Sequence, residues 1–226
     1  MPNPEETMYE TRRRSDPHGR MEPIRFAGSV LEAKRHLCAF FDSPDQEYRA
    51  LLPFIKEGLE RGEKAYHVVS PHARDDHLTR LAAAGIDVGS VLKSRQLELF
   101  DWHQVYLPDG RFDIDRMLQT WQRALDRAEA EGFPLTRVVA HMEWVLEERA
   151  GVPDLLEYEA RFNLVGTRGN PVICTYDTSK FSADVVIDVL RTHPMVIIGG
   201  TVQENPFFIS PEEFIREQRM RRARNR

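Results

Sequence analysis

Residues 36–70 read HLCAFFDSPDQEYRALLPFIKEGLERGEKAYHVVS, and this stretch decides the fold. His36–Phe41 is short, apolar and aromatic-rich, as a buried strand is. Asp42, Ser43, Pro44 and Asp45 make a turn and a helix start. Tyr48, Leu51, Leu52, Ile55 and Leu59 then recur at helical spacing, and Lys64–Val69 is a second buried strand. A strand, a crossover helix and a strand within about 35 residues form a βαβ unit, whose strands run parallel. A P-loop nucleotide-binding protein would carry GxxxxGK[ST] at the strand-to-helix turn. Residues 41–47 are instead FDSPDQE, with no glycine, no lysine and three acids. A triphosphate is not expected there, nor an ATP/Mg site.

Working outward, a chain of 226 residues with 41% hydrophobic and 30% charged residues fits an ordinary globular protein. No apolar run approaches the roughly 18–20 residues that span a bilayer, so no membrane is expected. The polar start does not read as a secretory signal, and none is expected. Cys38 and Cys174 both fall in predicted strands, which argues against a disulfide framework and for a reducing, cytoplasmic setting. A net charge of −5 makes nucleic acid an unlikely main partner. The end from Arg216 onward carries six arginines, which can meet phosphates or an acidic surface; a frayed, solvated basic tail at 218–226 is the plainer expectation.

Residues 1–25 are polar and proline-containing and read as a disordered tail. Val30–Arg35 is a short lead-in to the first strand. Pro71–Gly85 reads as a helix, Ile86–Val91 as a connection and Leu97–Trp102 as a strand. Asp113 caps a long helix over Ile114–Glu131. Thr136–Trp144 is the third core strand and Pro171–Tyr176 the fourth, with a helix over Asp154–Leu164 between them. A helix over Ala183–Thr192 leads to the fifth strand, Met195–Gly199. Val202–Ile209 reads as an edge strand and Pro211–Arg219 as a terminal helix. Five short apolar strands alternating with helices, without a linker, predict one α/β domain around a largely parallel sheet flanked by helices.

Ligands of open parallel sheets bind beyond the carboxyl ends of the strands. The predicted strand ends bring Phe41, Asp42, His67, His141, Glu143, Trp144, Tyr176 and Asp177 to one rim, which suits a small, partly apolar ligand held by a few polar groups. His141 and Glu143, two apart on a strand, are expected on one face. His141 reads equally as a ligand group or as a histidine pinning a loop. Glu143 reads as structural or as a hydrogen-bonding partner of the ligand. Zinc sites usually carry a close-spaced donor pair such as CxxC, and none exists, so no metal site is expected. The cysteines read first as small buried hydrophobes. No GxSxG elbow and no nucleophile–base pair is present, so no catalytic residue is named and no enzyme is expected.

The segments HLCAFFDSPDQEYRALLPFIKEGLERGEKAYHVV, LTRVVAHMEWVLE, VICTYDTSKF, LRTHPMVIIGG and QENPFF resemble the MEDS family, the methanogen/methylotroph DcmR-like sensory domain. The resemblance runs over about residues 34–217, some four fifths of the chain. It implies a RecA/KaiC-like fold whose phosphate loop is lost. It also implies a sensor of small organic molecules such as hydrocarbon derivatives, which signals to a kinase, an anti-sigma-type ATPase, a STAS domain or a transcription regulator. The family's proposed sensory positions fall on His36, Cys38, His141, Glu143, Tyr158, Glu159, Cys174 and Tyr176. No output module is read after residue 217, so a separate signalling partner is expected.

A RecA-like strand order, 5-1-4-3-2, would place Cys38 and Cys174 close together as candidate sensor thiols. The favoured reading is a non-enzymatic sensory domain with a small organic ligand at the rim. The alternatives are a degenerate nucleotide-binding protein and an interaction protein that works as a homo-oligomer.

Overall fold

The computed structural model of the chain describes residues 23–32, 35–147 and 149–224. It opens with a hairpin of β1 (Ile24–Phe26) and β2 (Ser29–Leu31). Ala27 and Gly28 turn it, both at positive φ (44° and 74°), as a two-residue hairpin with right-handed twist requires. Val30 and Leu31 of the expected lead-in at Val30–Arg35 therefore belong to the second arm of this hairpin, and residues 33 and 34 lie outside the described residues. The expected tail lies outside the described residues up to residue 22, and Ile24 and Arg25 already belong to β1. Ile24 is fully buried.

Seven strands form the main sheet: β3 (His36–Phe41), β4 (Lys64–Val69), β5 (Leu97–Asp101), β6 (Thr136–His141), β7 (Val172–Asp177), β8 (Met195–Ile198) and β9 (Thr201–Glu204). Their order is β5-β4-β6-β7-β3-β8-β9, and every neighbouring pair is parallel except β8 and β9. The five strands read as core from the sequence occupy the expected 5-1-4-3-2 order. β3, β4 and β6 are buried at every position, because helices cover both faces of the sheet.

On one face α1 (Pro44–Glu60) and α2 (Arg74–Ala83) pack with the hairpin over Leu37, Ala39, Phe41, Val139 and Ile173. On the other, α5 (Ile114–Ala130), α6 (Leu155–Val165) and α7 (Ala183–Thr192) cover Cys38, Phe40, Tyr66, Val138, Cys174 and Tyr176. Alternate residues of each strand point to opposite faces, so the two cores are separate. The short helices α3 (Val88–Lys93) and α4 (Trp102–Val105) flank β5. α8 (Pro211–Arg224) closes the described chain. None of these helices is long and apolar enough to cross a membrane.

Several elements differ from the sequence expectation, each for a local reason. The segment 86–91 is not plain connection: Asp87 caps α3 by accepting from the Ser90 N–H. The helix after β4 starts at Arg74, because Ser70 turns residues 71–73 into a tight 3-10 turn. The edge strand stops at Glu204, where Asn205 donates to the carbonyls of Leu190 and His193 and ends the pairing. Of the expected tail at 218–226, the described part up to Arg224 is helical rather than frayed: Arg221 pairs with Asp188 at 2.9 Å and Arg222 with Asp154 at 2.9 Å.

The α1–β6 contact holds a buried charge. Arg137 pairs with Glu63 and Glu57 and donates to the Phe54 carbonyl at 2.6 Å. Gly58 leaves it room: a Cβ there would lie 2.6 Å from Arg137 Cδ and Nε. With the guanidinium pinned by three partners, Gly58→Ala should lower stability by about 1–3 kcal/mol, as overpacking typically does. Urea unfolding checks this, and an unchanged midpoint would show that Arg137 moves freely.

Candidate functional site

The rim begins where β3 meets α1. Ser43 caps α1 through its side chain, Pro44 occupies the first turn, and Asp45 and Glu47 place negative charge where the helix dipole favours it. The Gln46 N–H donates to Ser43 Oγ at 3.4 Å, and the Asp42 N–H donates to Gln46 Oε1 at 2.8 Å. These N–H groups belong to the turn that cradles phosphate in a P-loop protein. Here the chain's own side chains satisfy them.

β7 ends beside β3, tied by the Thr178 N–H donating to the Phe41 carbonyl at 2.8 Å. Asp177 accepts from the Ser179 N–H and hydroxyl and pairs with Lys180 at 2.9 Å. Burial pushes the Asp177 carboxyl up, but the Ser179 and Lys180 contacts outweigh it and hold the group below the ordinary carboxylate range. Glu143 reaches Lys180 through one oxygen at 3.6 Å. Its other oxygen, Oε2, is buried without a hydrogen-bond partner among the described residues. Glu47 Oε1 lies 3.4 Å from His141 Nε2.

The structure thus brings Asp42, His141, Glu143 and Asp177 to the rim together with Glu47 and Lys180. It does not bring the other expected members there. Met142 leaves the strand conformation (φ −99°, ψ 5°), so β6 stops at His141 and Glu143 opens a 3-10 turn instead of sharing a strand face with it. That turn drives Trp144 into the core, fully buried and stacked on Tyr106 at 4.5 Å. Tyr176 and Phe41 are buried on opposite faces of the sheet. Tyr158 is a core residue edge-on to Phe112.

His67 lies under α1 and α2, where its Nδ1 is 2.9 Å from His77 Nε2, and His77 Nδ1 is 2.6 Å from the Tyr48 hydroxyl. Each neutral ring has one N–H, so the chain of bonds runs in a single direction. Burial, helped by the neighbouring histidines, pulls His67 down to about 3 and His77 well below the usual histidine range.

A second polar cluster lies on the opposite face, at the amino-terminal half of the strands. Cys38 and Cys174 are register partners on β3 and β7, as expected, and both are free thiols. Burial raises each well above the ordinary thiol range, so each keeps its proton unless a cation stands beside the sulfur. Around Cys174 stand His36, Glu159 from α6 and His193, the residue before Pro194 and β8. One donor atom of each lies within 4.8 Å of all the others. Sequence reading named the first three separately and missed His193. Its signal was available: it ends the turn into a strand that neighbours β3, whose own first residue is His36.

The family profile described as "MEthanogen/methylotroph, DcmR Sensory domain", MEDS, matches residues 35–194. A relative, the transcriptional repressor DcmR of Methylorubrum extorquens, is 25% identical over 169 residues, which is 74% of this chain and 61% of the repressor. The chain therefore spans less than two thirds of that relative's length. Among solved structures, the KaiC-like protein of Pyrococcus horikoshii OT3 gives a TM-score of 0.52 at 16% identity, over 74% of this chain and 71% of that one. The flagellar accessory protein FlaH of Methanocaldococcus jannaschii gives 0.48 at 13% identity, over 76% of each. The likeness to the KaiC-like protein shows the fold, a RecA-type sheet. The profile covers well over half of the sequence, so this chain belongs to the MEDS family of sensory domains.

Proposed function

We propose that this domain is a non-enzymatic sensor that binds a small organic molecule carrying hydrogen-bond donors at the carboxyl-end rim and reports it to a separate regulatory protein. The observation that supports this most is the chemistry of the rim. Asp42, Glu47, Glu143 and Asp177 face it, with Lys180 as the cation among them, and two N–H groups of the turn, those of Gln46 and Asp42, are already taken by Ser43 Oγ and Gln46 Oε1. Two like charges about 4 Å apart repel by about 4 kcal/mol at an effective dielectric of about 20, so phosphate is disfavoured. An amine or alcohol is favoured, because the buried Glu143 Oε2 lacks a donor. Such a ligand donates to Glu143 Oε2, shares the carboxylate's charge with the 3.6 Å Lys180 contact on the other oxygen and so loosens the 177–181 turn, which gives the regulatory partner a changed surface to read.

Thermal unfolding of the chain against small amines, alcohols and halogenated or methylated hydrocarbons tests this, with ATP and Mg2+ alongside. Ligand at 100 times its Kd adds about 2.7 kcal/mol of stability. We expect stabilisation by an amine or alcohol, weakened at least about tenfold in apparent affinity by Glu143→Gln, a loss of roughly 1.4 kcal/mol. Stabilisation by ATP and Mg2+, or by none of the compounds, would overturn the reading.

A further inference from the structure

We propose that His36, Glu159, Cys174 and His193 form a buried four-ligand site for a zinc ion. This site lies on the other side of the sheet from the α1 face, away from the rim, and does not depend on the rim reading.

The argument rests on where the lone pairs point. Asn163 Nδ2 donates to the carbonyls of Glu159 (3.0 Å) and Thr192 (2.6 Å), which turns Asn163 Oδ1 towards His36. His36 Nδ1 lies 2.9 Å from that oxygen, which can only accept, so Nδ1 carries the proton. His193 Nδ1 lies 2.9 Å from the Val189 carbonyl and is protonated for the same reason. With both rings neutral, as metal-bound imidazoles are, each Nε2 presents a lone pair; that of His36 also lies 3.8 Å from Cys174 Sγ, and that of His193 has no hydrogen-bond partner among the described residues. Both Nε2 atoms face the same carboxylate oxygen, Glu159 Oε2, at 3.3 and 3.6 Å. Neither oxygen of Glu159 has a hydrogen-bond partner among the described residues, and the residue is 1% exposed. Lone pairs aimed at one another in a dry interior are costly unless a cation lies between them.

The spacing fits. Tetrahedral zinc with bonds of about 2.0–2.3 Å holds its ligand atoms roughly 3.3–3.6 Å apart. Three of the six separations are 3.3 Å for His36–Glu159, 3.6 Å for His193–Glu159 and 3.8 Å for Cys174 Sγ–His36 Nε2; the other pairs lie within 4.8 Å, so the side chains draw in on the ion. The charges also balance: a divalent ion with one thiolate, one carboxylate and two neutral imidazoles is neutral overall. Binding forms four metal–ligand bonds and releases the Cys174 thiol proton to solvent. Two nitrogens, a sulfur and an oxygen suit a borderline ion such as Zn2+ rather than Mg2+ or Ca2+. Each Nδ1–H is anchored on a carbonyl, the usual arrangement behind a zinc-bound histidine. Four protein ligands make a closed site, which ties β3, β7, α6 and the entry to β8 together. CxxC spacing is absent because the donors come from four separate elements.

The test uses the full chain without an affinity tag, produced in medium supplemented with zinc or, in parallel, with cobalt. We expect about one zinc per chain by mass spectrometry of the elements. The cobalt form should show visible absorption of tetrahedral intensity and a near-ultraviolet thiolate-to-metal band. That band should vanish in Cys174→Ser and persist in Cys38→Ser. Asn163→Ala, which frees the His36 ring, should weaken zinc retention against a chelator about 10–100-fold. A wild-type chain that carries neither metal and takes none up on refolding overturns the proposal, with a proton shared between His36 and Glu159 as the occupant. A thiolate band lost in Cys38→Ser but kept in Cys174→Ser also overturns it. If Cys174→Ser does not fold, the wild-type cobalt spectrum and the metal content still decide.

Discussion

Lowering the pH from 7.5 to 4.5 should remove roughly 3 kcal/mol of stability through His67 alone. An unfolded histidine binds a proton near pH 6.5, whereas folded His67 resists protonation down to about 3, first because burial disfavours its charged form and then because His141 is near. Between those values the unfolded chain binds a proton that the folded chain refuses. Stability therefore falls as the pH falls, by about 1.4 kcal/mol per pH unit, and the loss is complete only near the folded value. His77, pulled down by burial and by His67, His141 and Arg74, adds to the loss in the same direction. Carboxylates such as Asp177, held below their usual range, lose their contribution at lower pH than this window. Urea unfolding across pH 7.5 to 4.5 measures the slope. His67→Leu should flatten it, even though that variant leaves His77 Nε2 without its partner. An equal slope in the variant would remove His67 as the cause, and a flat wild type would remove both histidines.

Trp144→Ala should cost about 3–5 kcal/mol, the range for deleting a large buried aromatic. The indole is fully buried between Tyr106, stacked at 4.5 Å with 12° between ring planes, and Phe112 at 5.0 Å. Its Nε1 has no hydrogen-bond partner among the described residues. Trp144→Phe, which removes that N–H and keeps an aromatic, should cost less than half as much as the alanine change. Because Trp144 anchors the 3-10 turn that carries Glu143, the alanine variant should also weaken rim binding once the loss of folded protein is corrected for. Full stability with abolished ligand binding would return Trp144 to the ligand surface.

The fold was legible in the apolar runs. HLCAFF, KAYHVV, TRVVAH and VICTYD each stand out because a strand covered on both faces needs no polar alternation. The absence of a GxxxxGK[ST] motif was equally plain in FDSPDQE, and in the structure Gln46 Oε1 and Ser43 Oγ accept from two N–H groups of that turn. Less legible was the fate of side chains at strand ends. His141 and Glu143 looked like neighbours on one strand, yet one residue, Met142, leaves the extended conformation and separates them. Tyr176 and Trp144 resembled ligand-facing aromatics, since strand-end position alone does not tell a buried ring from an exposed one.

What the sequence by itself determined was the local part: which segments are strands and helices, their parallel connection, and the lack of a GxxxxGK[ST] motif at the first strand-to-helix turn. Periodicity, capping residues and a missing motif are properties of a few consecutive residues, so they survive being read along a line. Only the tertiary structure decided that His36, Glu159, Cys174 and His193 converge, and that His67, His77 and Tyr48 form a buried chain. Those donors are separated by up to 157 positions and meet because β7, β3 and β8 are neighbours beneath α6. Strand order and helix placement set such encounters, through a packing of the whole domain that no short stretch encodes.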